Sequence, residues 1–159
     1  MASDTNQSAW GGRFSEATDA QVQSMNASIA FDQRLAMEDI AGSIAHSRML
    51  AATGLISPEE QQTLEGGLIG IAHDIRSGSF TFTEAREDVH MNVEGALAER
   101  VGDVAGKLHS GRSRNDQVAL DLRLWLRREL TETAQEISDA VRTIRNALGD
   151  AQANRFVTR

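Results

Sequence analysis

The chain has 159 residues, of which 40% are hydrophobic and 25% charged, and a formal net charge of -7. These fractions are typical of a globular protein, whereas the acidic balance argues against a nucleic-acid surface, which needs clustered lysine and arginine. The absence of cysteine excludes disulfides, thiolate metal sites and cysteine nucleophiles. No apolar run reaches the roughly 18 residues of a membrane span, and residues 1–8 carry no apolar signal core. We therefore expect a soluble cytoplasmic protein without nucleic-acid or membrane partners.

The N-terminal residues divide into two parts. Residues 1–9 are mostly small and polar, which predicts a mobile leader. The segment from Trp10 to Phe14 then places two aromatic side chains and Arg13 around a glycine pair. It is interpreted either as an aromatic staple that holds the terminus on the body or as an arginine that reaches a site.

A first helical pattern follows Ser28 and Asp32 and ends near Gly54. Ser28 and Asp32 are its capping candidates. Five apolar residues fall on or near one face of this pattern: Phe31, Leu35, Ile40, Ile44 and Leu50.

A second helix is predicted to begin after Ser57, with Pro58 at the first helical position and Glu60 completing a capping box. It should run to about Arg76 and stop at Gly78. Three glycines inside it favour close packing against another helix; they are Gly66, Gly67 and Gly70.

Residues 80–83 alternate phenylalanine and threonine without a second alternating run to pair with, so they are predicted to be an extended linker. A third helix is predicted from Glu84 to Val101, closed by Gly102.

Three polar residues of this third helix would be neighbours on its surface, namely Glu87, His90 and Glu94. The Glu-x-x-His part resembles one half of a di-iron site in a helix bundle. The sequence contains no second half, so an exposed acidic helix with one histidine is preferred and no metal site is predicted.

The segment 106–117 is polar and places Arg112 and Arg114 directly before the longest amphipathic pattern of the chain. A helix start carries unpaired backbone N–H groups and the positive end of the macrodipole, so these arginines beside Asn115 would add cationic donors to an anion site. The alternative is an ordinary N-cap with solvated arginines.

The amphipathic pattern predicts a very long helix. Its apolar residues recur at steps of four and three: Val118, Leu122, Leu126, Leu130, Ala134, Ile137, Val141, Ile144, Leu148 and Ala151. At about 1.5 Å per residue the helix would be roughly 50 Å long. One domain of this size cannot bury such a seam, so we expect that other copies of the chain or further C-terminal residues cover it.

Four segments together resemble the argininosuccinate lyase family of the fumarase/aspartase superfamily. They are residues 10–14, 26–32, 87–94 and, above all, the uninterrupted Gly-Lys-Leu-His-Ser-Gly-Arg-Ser-Arg-Asn-Asp-Gln-Val of residues 106–118. The resemblance extends from about Trp10 to about Ala151 and corresponds to the N-terminal third of a family member.

The resemblance implies an all-α fold. Residues 10–112 would form the N-terminal helical domain, and residues 113–159 would begin the first long helix of the central bundle, which associates into a homotetramer. The implied reaction cleaves argininosuccinate to arginine and fumarate in arginine biosynthesis. It proceeds by anti elimination through an aci-carboxylate intermediate, without a metal or an organic cofactor.

The resemblance also assigns substrate-binding residues. Ser28 and Asn115 match substrate contacts, Arg114 lies where the family contacts a substrate carboxylate, Asp88 matches an acidic residue beside the site, Asp32 is expected to support Ser28, and Arg112 lies in the same motif. The family's catalytic histidine and its proton-abstracting serine belong to later segments that these 159 residues do not contain. No catalytic residue is therefore assigned within this chain, and we expect the chain alone to be inactive.

Two alternatives remain open for the function. One is another lyase of the same superfamily, against which the 106–118 motif discriminates. The other is a non-catalytic structural or interaction protein, as the lens crystallins related to this enzyme illustrate.

Overall fold

The computed structural model describes residues 20–157. The predicted leader and the segment from Trp10 to Phe14 lie outside these residues. The α-helices are α1 (Ala20–Asn26), α2 (Ile29–Asp32), α3 (Ala36–Ala52), α4 (Pro58–Ser77), α5 (Val89–Val101) and α6 (Arg114–Val157). Short 3-10 helices occupy Gln33–Leu35, Glu84–Arg86 and Gly102–His109. The predicted all-α class is confirmed for the described residues, which contain no strand.

The chain divides into two units, residues 1–121 and 122–159. The described part of the first unit contains α1 to α5 and the first two turns of α6, and its core lies where α3, α4 and α5 pack together. The side chains that are almost completely buried there are Leu50, Leu64, Leu68, Ile71, Val89, Val93 and Leu97. The predicted boundary between residues 112 and 113 remains a prediction about the longer fold.

The start of α4 follows the local prediction closely. The Ser57 hydroxyl accepts a hydrogen bond from the Glu60 backbone N–H, and the Glu60 carboxylate accepts one from the Ser57 N–H. The helix ends at Ser77, and Gly78 adopts a left-handed φ of 74°. Residues 80–83 form neither helix nor strand, and Thr83 has an extended backbone, in agreement with the predicted linker.

The first predicted helix is instead three successive segments, α2, a 3-10 turn and α3. A 3-10 turn has three residues per turn rather than 3.6, so the face that it presents drifts away from the α-helical register. Phe31 consequently does not join the apolar face of α3, and 63% of its surface is exposed.

The single helix predicted from Glu84 to Val101 is also wrong. The 3-10 turn stops at Arg86, Glu87 adopts a positive φ of 52°, and Asp88 caps a new helix that begins at Val89. The cause is tertiary: the Glu87 carbonyl accepts hydrogen bonds from the backbone N–H groups of Ser28 and Ile29, at 2.9 and 3.0 Å. The end of the helix at Gly102 is as predicted.

The glycines of α4 do not share one role. A β-carbon on Gly67 would lie 2.7 Å from Leu97 Cδ1 and 2.8 Å from Val101 Cγ1, so the close packing predicted for it is confirmed. A β-carbon on Gly66 would meet nothing within 4 Å, so the same prediction was wrong there.

These two neighbours form a matched pair of variants. We expect Gly67→Ala to lower the free energy of unfolding by about 1 kcal/mol or more, because Leu97 is buried and overpacking outweighs the gain in helix propensity. Gly66→Ala should raise the same free energy by about 0.5–1 kcal/mol, since it gains only the propensity. Urea unfolding followed by circular dichroism measures both; equal effects of the two variants would contradict the packing argument.

The second unit contains the remainder of α6. Most large apolar side chains of its predicted seam are about half exposed or more, as in Leu130 (67%), Ile144 (60%) and Leu148 (62%). The very long helix is confirmed, and its 44 residues exceed the length predicted from the seam. None of the described helices is both long and apolar enough to cross a membrane.

Candidate functional site

The predicted site residues form two groups within the first unit. The first group surrounds the start of α5, where the Ser28 hydroxyl donates to Asp32 Oδ2 at 2.5 Å. The other oxygen of Asp32 accepts from the Val89 N–H at 3.2 Å. Asp88 caps α5 by accepting from the Met91 N–H at 2.7 Å. Asp32 therefore orients the Ser28 hydroxyl, and the expected roles of both residues in substrate binding remain predictions.

The second group surrounds the start of α6. Gly111 has a left-handed φ of 66°, which turns the chain into the helix. The Ser113 hydroxyl accepts from the Asn115 N–H at 3.2 Å, so Ser113 supplies an N-cap bond. The Asn115 side chain is exposed. The capping interpretation thus describes Ser113, and it does not involve the side chain of Arg114 or of Asn115.

Arg114 is held by two hydrogen bonds, one on each terminal nitrogen. Its Nη2 donates to Glu94 Oε2 at 3.1 Å, and its Nη1 donates to Gln117 Oε1 at 3.3 Å. The other oxygen of Glu94 lies 3.1 Å from Nδ1 of His109. About a third of the side-chain surface of Arg114 and of Glu94 is exposed, 30% and 35%. The partly exposed carboxylate of Glu94 therefore already binds one of the two terminal nitrogens of Arg114 with which a ligand carboxylate could pair.

Arg112 points in a different direction from Arg114. Its Nη1 donates to the Ser43 hydroxyl of α3 at 3.1 Å, and its Nε and Nη2 are buried. Burial lowers the pKa of this guanidinium, although Asp39 and Asp121 oppose that shift. The observed contact of Arg112 is thus with the protein interior, and its expected role in substrate binding remains a prediction.

A buried cluster lies behind these residues, formed by Asp39, His90, Arg112 and Asp121. Nδ1 of His90 lies 3.2 Å from Asp39 Oδ1 and 3.5 Å from Asp121 Oδ2. The side chains of Asp39, His90 and Asp121 are only 1–2% exposed. Gln117, also buried, donates from Nε2 to Asp39 Oδ1.

Burial and mutual repulsion alter the protonation of this cluster. Burial raises the pKa of Asp121 to about 7, and the charge of Asp39 acts in the same direction. Burial lowers the pKa of His90, but its hydrogen bond to Asp39 and the charge of that carboxylate outweigh burial, so the pKa is raised overall.

Asp39, His90 and Asp121 also have the geometry of a possible metal site, because one ligand atom from each lies within 4.8 Å of the others. Carboxylate oxygens and an imidazole nitrogen are suitable ligands for divalent metals. The guanidinium of Arg112 already opposes the charge of both carboxylates. We therefore interpret the cluster as an internal ion network rather than a metal site.

The triad considered from the sequence is not assembled. Glu87 precedes α5 instead of belonging to it, His90 is directed into the buried cluster, and Glu94 contacts His109 and Arg114.

Sequence reasoning missed Asp39, Gln117 and Asp121. The available signal was the spacing of polar residues at the start of α6, since Gln117 and Asp121 are four residues apart and share a helix face. Both are buried, whereas the apolar Val118 and Leu122 that were used to define the seam are 41% and 46% exposed.

Comparison with known proteins places the chain among lyases. A family model described as lyase matches residues 12–157. Argininosuccinate lyases from two strains of Desulfitobacterium hafniense, DSM 10664 / DCB-2 and Y51, are each 54% identical to the chain over 135 residues, covering 85% of this chain and 29% of the relative. The argininosuccinate lyase of Deinococcus deserti is 53% identical over 136 residues, covering 86% and 28%. The chain thus spans less than a third of the length of these relatives.

Proposed function

Because the chain belongs to the lyase family, we propose that it is the N-terminal part of an argininosuccinate lyase that cleaves argininosuccinate to arginine and fumarate. The observation that carries the proposal is the identity of 54% over 85% of the chain to an argininosuccinate lyase. A homotetrameric, cytoplasmic enzyme that needs no cofactor is proposed with it. The activity belongs to the longer protein.

The chemistry of the α6 start suits this reaction. The elimination breaks the bond between the guanidino nitrogen and one carbon of the succinyl group, and the nitrogen leaves with a proton as arginine. Before that step a base removes a proton from the neighbouring carbon, and the electron pair left there delocalises into the carboxylate on that carbon as an aci-carboxylate. That group then carries more negative charge than it does in the substrate. Preorganised donors stabilise such developing charge most effectively. Arg114 and the first N–H groups of α6 are donors of this kind.

The other residues receive supporting roles in the proposal. Ser28, whose single O–H group donates to Asp32, would accept a hydrogen bond from the substrate. The Asn115 amide would donate one. Asp88 would contribute negative charge beside the site while capping α5. Arg112 would act from below the surface, because its guanidinium donates to Ser43 and interacts electrostatically with the buried carboxylates.

Glu94 would compete with the substrate carboxylate for the guanidinium of Arg114. A substrate carboxylate that binds Nη2 of Arg114 must displace Glu94, which keeps His109 as a second neighbour after the exchange. The exposed pair is the type of contact that contributes little to stability, so this exchange should cost little.

The proposed function is tested in a chimera in which residues 12–157 replace the matching part of the Desulfitobacterium hafniense enzyme. We expect the chimera to release fumarate from argininosuccinate, measured by ultraviolet absorbance, while the isolated chain shows no turnover. The parent enzyme is the positive control.

A folded chimera without turnover on argininosuccinate would contradict the proposal. Turnover on another succinylated amine instead would assign the chain to a different lyase of the superfamily. Turnover by the isolated chain at the rate of the parent enzyme would overturn the expectation that the catalytic groups lie elsewhere.

A further inference from the structure

A line of hydrogen bonds connects the buried cluster to the surface arginine of the candidate site. It runs from Asp39 through the Gln117 amide to Arg114. We propose that Asp39 is a positioning residue that fixes the guanidinium of Arg114 through Gln117. This inference rests on the proposed function in one respect, namely that Arg114 binds the substrate carboxylate.

The orientation of the Gln117 amide is determined by its two neighbours. An ionised carboxylate only accepts hydrogen bonds, and a guanidinium only donates them. The amide must therefore turn its NH2 group towards Asp39 and its oxygen towards Arg114, as observed. Reversing the amide would place two acceptors against each other at one end and two donors at the other.

The burial of Asp39 and Gln117 stabilises this orientation of the amide. The side chain of Asp39 is 1% exposed and Gln117 is 2% exposed, so water does not replace a lost partner. An unsatisfied buried polar group costs more than an average hydrogen bond contributes. Nδ1 of His90, 3.2 Å from the same oxygen of Asp39, adds a second favourable contact to the carboxylate.

The two partners of Arg114, Glu94 and Gln117, differ in how easily a ligand could displace them. Glu94 is 35% exposed and lies where a ligand carboxylate would compete for Nη2. Gln117 holds Nη1 from the buried side. When a substrate displaces Glu94, Gln117 remains as the fixed contact, and Asp39 is what keeps its oxygen facing Arg114.

The first test uses Asp39→Asn in the 159-residue chain. An asparagine amide can accept from the Gln117 NH2 group or donate to Gln117 Oε1, so residue 39 no longer opposes reversal of the Gln117 amide and only Arg114 does. In the wild-type chain we expect slow rotation about the Nε–Cζ bond, seen as separate Nη signals of Arg114 in nuclear magnetic resonance spectra assigned with Arg114→Lys. In Asp39→Asn these signals should merge.

Asp74→Asn is the matched control. It makes the same chemical change at an aspartate that pairs with Arg100 away from the site, and it should leave the Arg114 signals separate. In the chimera, Asp39→Asn should lower kcat/KM for argininosuccinate about tenfold to a hundredfold, at a temperature where circular dichroism shows the variant folded. Asp74→Asn should leave kcat/KM within about twofold of wild type, because it removes only an exposed ion pair.

A second variant covers the case in which Asp39→Asn does not fold. Gln117→Met has nearly the same length, leaves the Asp39–His90 pair in place and removes the hydrogen bond to Arg114, so it should merge the same signals. Unchanged Arg114 signals in either folded variant would overturn the positioning role. Loss of turnover in the wild-type chimera would overturn the proposed function instead, without affecting the result on the isolated chain.

Discussion

Arg114→Ala in the chimera will lower kcat/KM for argininosuccinate by at least about a hundredfold. The change removes a preorganised cationic donor from the place where negative charge develops, and losing one such donor typically costs a factor of about a hundred to a thousand. The free energy of unfolding should change little, because Arg114 and its partner Glu94 are both partly exposed, at 30% and 35%. Steady-state kinetics and urea unfolding of the same preparation measure the two effects.

Arg142→Ala serves as the control for this prediction. Arg142 pairs with Asp139 on the surface of α6, and 61% of its side chain is exposed. Its removal should leave kcat/KM unchanged. If Arg114→Ala instead lost stability while the remaining folded protein kept its kcat/KM, the arginine would belong to the helix cap and not to a binding site.

The stability of the chain will fall as the pH rises from about 4 to about 7, and Asp121→Asn will remove much of this fall. In the unfolded chain an aspartate titrates near 3.8, whereas in the folded chain the pKa of Asp121 is about 7. Between these values the folded state keeps a proton that the unfolded state releases, so the free energy of unfolding decreases with pH. Each unit of pKa difference corresponds to about 1.4 kcal/mol.

Other groups also affect the profile, and the lowered pKa values of Glu60 and Glu65 act on stability in the opposite sense. Asp39 strengthens the effect, since its charge raises the pKa of Asp121, while His90 and Arg112 oppose it. His90 has a raised pKa of its own, so its contribution is also lost as the pH rises above its usual value of 6.5. A residual slope is therefore expected in Asp121→Asn near neutral pH.

Urea unfolding at about pH 5 and pH 8 measures this effect. At the higher pH, Asp121→Asn should be more stable than the wild type, because an amide needs no proton to remain neutral. Asp139→Asn, at an exposed position on α6, should keep the wild-type difference between the two pH values. An unchanged difference in Asp121→Asn would show that Asp121 is ionised in the folded state throughout this range.

The elements whose signals are local could be predicted from the sequence. The start of α4 is specified by Ser57, Pro58 and Glu60 through contacts within one helical turn. The helix ends at Gly78, because glycine adopts the left-handed backbone conformation at little cost in free energy. The long helix was also predictable, since its periodic seam from Val118 to Ala151 extends over about nine turns.

The break before α5 could not be predicted in this way. No proline or glycine marks Glu87, and a helix continues there by propensity alone. The bend depends on N–H groups contributed by Ser28 and Ile29, almost sixty positions earlier in the chain, which a pattern along one segment does not reveal.

The candidate site divides along the same line. The polar segment 106–117 indicated either an anion site at a helix start or an ordinary cap, and the resemblance to argininosuccinate lyases selected Arg114 and Asn115 within it. The buried cluster behind it was missed, because Asp39, His90 and Asp121 come from three different helices and each would ordinarily be assigned to the surface. Only the packing of α3, α5 and α6 shows that they share one interior.

The bend at Glu87 holds Ser28 and Asp88, two of the proposed binding residues, near each other. The Glu87 carbonyl accepts hydrogen bonds from the backbone N–H groups of Ser28 and Ile29. The Asp32 carboxylate accepts one from the Val89 N–H. These hydrogen bonds hold the start of α2 against the start of α5. Ser28 cannot move away from the start of α5 unless these hydrogen bonds break. Its hydroxyl would therefore be in place before a ligand binds, and binding would cost little entropy for ordering it.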